Sequence, residues 1–304
     1  MNFLDIFWHQ IPPTRLGEFN GRIKCPCEAP FWEIMERFFA DGAGKMLIDV
    51  GCGPGIKALT FAVAGFRVMG FDIRGSAVRH ARENARQTRQ RLPELPLDAE
   101  FYERDLQQGM PDIQDESADV VIFVEVIEHL ANYQAVMAEI RRVLKPGGRV
   151  VITTPNKLMQ AKDADEAVYG EKAYGHVRDF DLAELAATVK DAGLSVAFQG
   201  YLNPPKIKAC CRLIHPWMIR DHGFLQGKHG MQDVIGIRTL GFLQPLYNAS
   251  FPLISGLIAA YNAVVFPFLL WLTQPDYTRP NGTGLIVIAQ KEGNSHEKSV
   301  IILG

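Results

Sequence analysis

Residues 46–55, MLIDVGCGPG, constrain the fold of this chain more than any other stretch. An apolar run that ends in Asp49 is followed at once by glycines at alternate positions, Gly51, Gly53 and Gly55. This pattern predicts a buried parallel strand that enters a tight turn, because glycine is needed where the backbone takes a positive φ or a ligand approaches closely. The apolar stretch that follows predicts a helix. Together they indicate an open α/β sheet that binds a ligand at the carboxyl ends of its strands.

The glycine spacing differs from that of the dinucleotide-binding fingerprint. G-x-G-x-x-G would require a glycine where Ile56 stands. The pattern D-x-G-x-G-x-G of residues 49–55 instead resembles motif I of the class I S-adenosylmethionine (SAM)-dependent methyltransferases. The resemblance implies a Rossmann-like α/β fold with a seven-stranded, mostly parallel sheet, helices on both faces, and SAM as the cofactor.

The ends of the following strands supply the rest of the expected cofactor site. Asp72 ends the second predicted strand, about twenty residues after the glycine turn, where an acidic residue is placed to accept hydrogen bonds from ribose hydroxyls. The resemblance implies that Asp105, after the third strand, accepts from the adenine amino group and that Leu106 lines the ring. The residues expected to bind SAM are Asp49, Gly51, Cys52, Gly53, Gly55, Asp72, Ile73, Asp105, Leu106 and Val124.

A strongly apolar strand, residues 119–126, leads into the run Glu125-Val-Ile-Glu128-His129. This run resembles the same region of the ubiquinone-biosynthesis O-methyltransferases. Its E-x-x-E-H pattern is also similar to that of the small-RNA 3′-terminal 2′-O-methyltransferases, where it ligates a divalent metal with a downstream His, here His176. Two carboxylates and an imidazole at a strand-to-helix junction can converge on one cation, which would lower the pKa of a substrate hydroxyl.

The expected catalytic residues are therefore Glu125, Glu128, His129 and His176, and the same four are the candidate ligands of a divalent metal such as Mg²⁺. A metal-free site is the alternative, since many class I methyltransferases carry an acidic residue and a His here without a metal. In that case His129 or His176 is the general base, because imidazole titrates near neutrality.

About eighty residues separate the sixth and seventh predicted strands, residues 195–201 and 284–290, where the family usually has a short hairpin. No charged residue occurs from Thr239 to Pro275, and residues 251–272 are long enough to span a bilayer. We nevertheless expect no transmembrane helix, because the last strand has to return to the same sheet. An apolar helical hairpin that caps the active site or contacts a membrane face is expected, with a protein-buried lid or dimer interface as the alternative.

The predicted organisation has four parts. They are an N-terminal cap (1–44), a SAM-binding domain (45–202 with 282–292), an apolar helical insertion (203–281) and a tail (293–304). Residues 1–30, with four prolines, are expected to be irregular, and residues 31–40 to form an amphipathic helix that covers a sheet edge or acts as a lid.

Charge and cysteine content limit which binding partners and which cellular compartment are expected. A net charge of −2 gives no general reason to expect nucleic acid. One predicted helix face carries four arginines, which form either a solvated surface or a contact for anionic lipid or RNA: Arg79, Arg82, Arg86 and Arg89. An odd number of cysteines, five, and an N-terminus unlike a signal peptide favour a reducing, cytoplasmic location, with contact to the inner face of the membrane as an extension.

The sequence thus predicts a SAM-dependent methyltransferase. The preferred acceptor is a hydroxyl on a hydrophobic or lipid-linked small molecule, which rests on the resemblance and on the apolar insertion. The alternatives are a sugar methyltransferase of a polysaccharide pathway, an RNA 2′-O-methyltransferase, and a non-catalytic SAM-binding scaffold.

Overall fold

The computed structural model describes residues 2–10, 28–95, 97–160, 176–203, 260–272 and 276–293. Within these ranges helices cover both faces of one sheet. The helices are α1 (Phe3–Gln10), α2 (Ala29–Phe39), α3 (Ile56–Val63), α4 (Gly75–Arg91), α5 (Tyr133–Val143), α6 (Lys157–Gln160), α7 (Leu182–Asp191) and α8 (Phe266–Leu272). The strands are β1 (Met46–Val50), β2 (Arg67–Asp72), β3 (Ala99–Glu103), β4 (Ala118–Val124), β5 (Leu144–Pro155), β6 (Ser195–Leu202) and β7 (Gly284–Gln290).

The seven strands lie in the order β3-β2-β1-β4-β5-β7-β6. The first five in this order pair in parallel, and β7 is antiparallel to both β5 and β6. The Rossmann-like, mostly parallel sheet expected from the sequence is therefore confirmed. Because β1 to β4 are parallel, their carboxyl ends meet at one edge of the sheet, which we call the carboxyl edge.

Alternate residues of each strand pack on opposite faces of the sheet. On β4, Val120 and Ile122 join an apolar cluster with α1 to α4, whereas Val121 and Phe123 join a second cluster with α5 and α7. All four side chains are buried, as expected for a central strand covered on both faces.

Helix α1 shows that the expectation of an irregular segment over residues 1–30 was wrong at its beginning. Phe3, Ile6 and Phe7 recur at helical spacing, and all three side chains are buried. The ring of Phe3 lies 4.9 Å from that of Phe61 in α3, measured between centroids. The apolar face of this short helix was thus sufficient to dock it on the core, and the prolines all follow it in sequence.

Two of the four arginines on α4 satisfy the backbone of an edge strand. Arg82 donates from Nε and Nη2 to the carbonyl of Phe101 in β3, at 2.9 and 2.7 Å. Arg89 Nη2 donates to the carbonyl of Ala99 at 2.9 Å. Since β3 ends the sheet, these carbonyls have no further strand to pair with. Arg82 and Arg89 therefore have a structural role that the sequence did not reveal.

The apolar insertion leaves and re-enters the sheet at the carboxyl edge. Gly284, at the start of β7, is opposite both Pro155 at the end of β5 and Leu202 at the end of β6. The N–H of Thr283 donates to the carbonyl of Asn203 at 3.2 Å, which joins the two roots directly. Among the helices of the described residues, none has the length and apolar character needed to cross a membrane.

Candidate cofactor and catalytic site

The glycine turn is fixed to the tip of the neighbouring strand β2. The N–H groups of Gly51 and Cys52 both donate to the carbonyl of Phe71 at 2.8 Å. The N–H of Gly53 donates to Oδ2 of Asp72 at 2.9 Å, and the other oxygen of Asp72 accepts from the N–H of Arg74 at 2.8 Å. The same oxygen also accepts from Nε of Arg74 at 3.3 Å. Asp72 is buried, and these bonds organise the turn. A carboxylate has about four acceptor positions, so about one remains for the predicted ribose contact.

Glycine is needed at the three positions of the turn for different structural reasons. A Cβ on Gly51 would lie 2.3 Å from Val126, and one on Gly55 would lie 2.9 Å from the ring of Phe101. Both positions therefore require glycine for packing alone. Gly53 also has a positive φ, +52°, yet a Cβ there would meet no protein atom within 4 Å. Gly53 is the member of the turn that borders open space.

Asp49 and Lys57 interact electrostatically near this turn. Asp49 is the penultimate residue of β1 and almost fully buried, and burial raises its pKa to about 8; the Lys57 ammonium opposes the shift and Asp72 adds to it. Lys57 lies in the first turn of α3, with Nζ 3.5 Å from a carboxylate oxygen of Glu28 and 5.2 Å from the centroid of the Phe31 ring. The sequence analysis missed Lys57, although it is the one charged residue within the apolar helix α3.

Glu125 follows β4 in a left-handed conformation, with φ +56°, which is uncommon for a residue other than glycine. Its N–H donates to the carbonyl of Thr153 at 3.0 Å, and its carboxylate accepts from the Thr153 hydroxyl at 2.7 Å. Glu125 is an exposed residue, yet desolvation of its carboxyl by the neighbouring protein raises the pKa above the ordinary value. Strained backbone of this kind is common at functional sites.

Glu128, His129 and His176 come together on the other side of the β5 terminus. One oxygen of the buried Glu128 carboxyl accepts from the Thr154 hydroxyl at 3.0 Å, and the other lies 3.9 Å from Nε2 of His129. The backbone carbonyl of Glu128 accepts from the N–H of Val177 at 2.9 Å. This bond holds His176 beside His129, with ring centroids 4.9 Å apart in a T-shaped arrangement.

Burial, reinforced by the nearby Glu125, raises the pKa of Glu128 to about 9. Burial and the adjacent His129 lower the pKa of His176, which keeps its imidazole neutral near pH 7. A neutral imidazole can accept a proton or ligate a metal.

The structure groups three of the four predicted catalytic residues. Potential ligand atoms of Glu128, His129 and His176 lie within 4.8 Å of one another, and Glu125 is not part of this group. The separation follows from β5, because successive residues of a strand point to opposite faces and Thr153 and Thr154 hold one glutamate each. One carboxylate with two imidazoles is a donor set suited to divalent transition metals, whereas Mg²⁺ prefers oxygen ligands.

The residues predicted to bind the adenine part of SAM follow β2 and β3. Asp105 caps the 3₁₀ turn Leu106–Gln108 by accepting from the N–H of Gln107 at 3.0 Å. Leu106 is buried, whereas Ile73, at the tip of β2, is 60% exposed. Cys52 is buried beside Gly53, and burial raises the pKa of its thiol. All ten predicted cofactor residues thus lie in the last two positions of a parallel strand or follow one, at the carboxyl edge; their contacts with SAM stay predictions.

A family model described as a methyltransferase domain matches residues 26–197. A ubiquinone biosynthesis O-methyltransferase of Thiobacillus denitrificans is 31% identical over 195 residues, which are 61% of this chain and 72% of that protein. This chain belongs to the SAM-dependent methyltransferase family. A "Probable S-adenosylmethionine-dependent methyltransferase" of Mycolicibacterium smegmatis is 32% identical over 166 residues, 54% of this methyltransferase.

The match spans only 57% of the mycobacterial relative's length. Among solved structures, the [4+2]-cyclase SpnF is similar with a TM-score of 0.53 at 19% identity, over 86% of this chain and 80% of that one. At this identity the likeness concerns the fold alone. Because one fold hosts unrelated reactions, the reaction of this methyltransferase has to be argued from its site.

Proposed function

We propose that this protein transfers the methyl group of SAM to a hydroxyl of a hydrophobic or lipid-linked small molecule. The observation that carries the proposal is the group of Glu128, His129 and His176 at the carboxyl edge, next to the glycine turn expected to hold SAM. A base and its supporting carboxyl there would face the acceptor side of the cofactor.

Methyl transfer from a sulfonium is an in-line displacement, so most of the catalysis is positioning of the two reactants. His129 is the proposed base, because its side chain is 37% exposed toward solvent while its Nε2 lies 3.9 Å from the buried Glu128 carboxyl. A neighbouring carboxyl can orient an imidazole. Thr154 in turn holds the other oxygen of Glu128.

An apolar acceptor is supported by the rim of the site. Val177, directly after His176, is 61% exposed, and Leu158, three residues after the end of β5, is also exposed. The insertion, whose residues 239–275 carry no charge, is rooted at the same edge through Asn203 and Thr283. The preference for oxygen is supported by the E-x-x-E-H run and by the O-methyltransferase name of the relative in Thiobacillus denitrificans.

A metal-assisted version of this reaction is the second candidate. The donor set of Glu128, His129 and His176 fits a cation such as Mn²⁺ better than Mg²⁺, and such a cation would lower the pKa of the acceptor hydroxyl. An RNA 2′-hydroxyl is a less favoured acceptor, because Arg82 and Arg89 of the basic helix face are engaged with β3.

The test is transfer of tritiated methyl from SAM into a total cell extract, separated into organic and aqueous phases, with and without EDTA. The matched variants are His129→Gln in the site and His80→Gln on the exposed side of α4. SAM binding by each variant is measured calorimetrically, so that a loss of transfer is separated from a loss of cofactor.

Label in the organic phase that resists EDTA and falls at least tenfold in His129→Gln, with His80→Gln unaffected, would support the metal-free reaction. Loss with EDTA and recovery with Mn²⁺ would support the metal-assisted one. Label confined to the aqueous phase would contradict a lipid-like acceptor and favour a sugar or RNA. SAM binding without any label would favour the non-catalytic scaffold.

A further inference from the structure

We propose that α8 and the turn before it, residues Tyr261–Val265, form a docking surface for an anionic lipid bilayer. The role of this surface in delivering the acceptor rests on the proposed function, whereas the docking itself does not. Within this docking surface, the exposed side of residues 263–272 is called the apolar helix face or stripe.

The apolar helix face presents its hydrophobic side chains outward. Val264, Phe268, Trp271 and Leu272 follow the spacing i, i+4, i+7 and i+8, which places them on one side of a helix, and their exposure ranges from 49% to 70%. The rings of Phe268 and Trp271 lie 5.8 Å apart and make a continuous aromatic surface. In α8 only Phe266 is buried. An exposed apolar stripe of this kind marks an interaction surface.

The chemistry of the stripe favours lipid over a protein partner. No charged residue occurs between Thr239 and Pro275, so the residues that flank the stripe in sequence are uncharged, as suits contact with lipid hydrocarbon. Trp271 belongs to the residue type enriched at membrane–water boundaries. The described residues 261–272 would extend about 18 Å as a helix, against the ~30 Å hydrocarbon core of a bilayer. A helix of this length with one apolar side can lie in the membrane interface.

An earlier part of the same insertion has the charge that an anionic surface attracts. Residues 204–238 contain six Lys or Arg residues against two Asp and no Glu, a net charge of +4 in a chain whose total is −2. These residues lie outside the described ranges, and their sequence alone gives the charge. An insertion that combines basic residues with an apolar segment has the composition of segments that bind anionic lipid headgroups.

The docking surface is tied to the active-site side of the molecule. Tyr277, five residues after α8, accepts at its carbonyl from the N–H of Tyr201 in β6 at 2.9 Å. The hydroxyl of Tyr277 donates to a carboxylate oxygen of Glu33 in α2 at 3.1 Å. Five residues reach at most about 18 Å, so α8 stays close to the carboxyl edge. A membrane bound there would lie near the carboxyl edge, where the proposed acceptor binds.

The experiment is flotation of the full chain, without SAM, with vesicles of phosphatidylcholine alone or of equal parts phosphatidylcholine and phosphatidylglycerol, whose surface is anionic. The test variant carries Phe268→Glu and Trp271→Glu. Its control carries Ala183→Glu and Ala187→Glu, which add the same two charges to the exposed side of α7. Circular dichroism and SAM affinity verify that both variants are folded.

We expect the wild type and the α7 control to float with the anionic vesicles, and the α8 variant to lose at least tenfold in binding. Equal binding by the α8 variant, no wild-type binding, or binding independent of phosphatidylglycerol would each overturn the proposal. The proposal would also fail if the wild type bound no vesicles but formed a dimer that the α8 variant abolishes. The stripe would then be a contact between two copies of the chain. Since SAM and acceptor are absent, a failure of the proposed methyl transfer leaves this result intact.

Discussion

Replacing Gly53 by alanine separates cofactor binding from the stability of the fold. Gly53 has φ +52°, and an added Cβ would meet no protein atom within 4 Å. The cost to folding is then the left-handed conformation of a residue with a Cβ, about 1 to 2 kcal/mol. If the open space beside Gly53 is where SAM lies, the methyl group would in addition collide with the cofactor.

We expect Gly53→Ala to weaken SAM binding by more than tenfold, which corresponds to about 1.4 kcal/mol or more. Gly44→Ala is the matched control, because Gly44 also has a positive φ, +72°, and no atom within 4 Å of its missing Cβ. Gly44 precedes β1, at the edge of the sheet opposite the glycine turn. Both variants should lose similar stability, and Gly44→Ala alone should keep wild-type SAM affinity.

The assay combines titration calorimetry with SAM and urea denaturation of the cofactor-free protein. SAM affinity of Gly53→Ala within twofold of the wild type would refute the assignment of this space to the cofactor. A much larger loss of stability in Gly53→Ala than in Gly44→Ala would show instead that Gly53 serves the fold.

Three further outcomes are expected. Thr154→Val removes the hydroxyl that holds Glu128 and should lower kcat at least tenfold with little change in KM for SAM, whereas Thr154→Ser keeps a hydroxyl and should keep kcat. Equal kcat values for the wild type and both variants would exclude this positioning role. The raised pKa of Asp49, about 8 against an ordinary 3.8, means that the folded state holds its proton more tightly, so the unfolding free energy of the cofactor-free protein should fall as pH rises from about 4 to about 8. Asp49→Asn should flatten that dependence in urea denaturation at pH 5 and 8, and an unchanged slope would contradict the explanation. Arg82→Met should lower the unfolding free energy by about 1.5 to 3 kcal/mol through the lost bonds to Phe101, and Arg79→Met by less than about 0.5 kcal/mol, both measured by urea denaturation. Equal losses would argue against the role of Arg82 at the edge strand.

Local patterns were sufficient to predict much of the fold. The apolar strands and the glycine turn after β1 are read from neighbouring residues, and the structure has them where the sequence placed them. The exception is α1, whose three buried apolar residues were outweighed in the sequence analysis by the prolines that follow. Helical spacing over eight residues is a weak signal without the core that covers it.

The candidate site was only partly predictable, because its support comes from residues distant in sequence. Glu128 and Thr154 are 26 positions apart, and Glu125 and Thr153 are 28 positions apart. Their contacts depend on the pairing of Val124 with Thr153 at the end of β4 and β5. A polar pair at the carboxyl end of an otherwise apolar strand is the one sequence signal that could have indicated them.

The sequence by itself determined the fold class, the cofactor family and the position of the E-x-x-E-H run, because each depends on residue types at fixed short spacing. Only the tertiary structure decided that Glu125 binds Thr153 while Glu128 binds Thr154 beside His129, since side chains alternate along β5 and these two threonines point to opposite faces. It also decided that Arg82 completes a sheet edge and that the stripe containing Phe268 and Trp271 faces outward. Spacing fixes which residues can share a face, and packing alone fixes what that face meets.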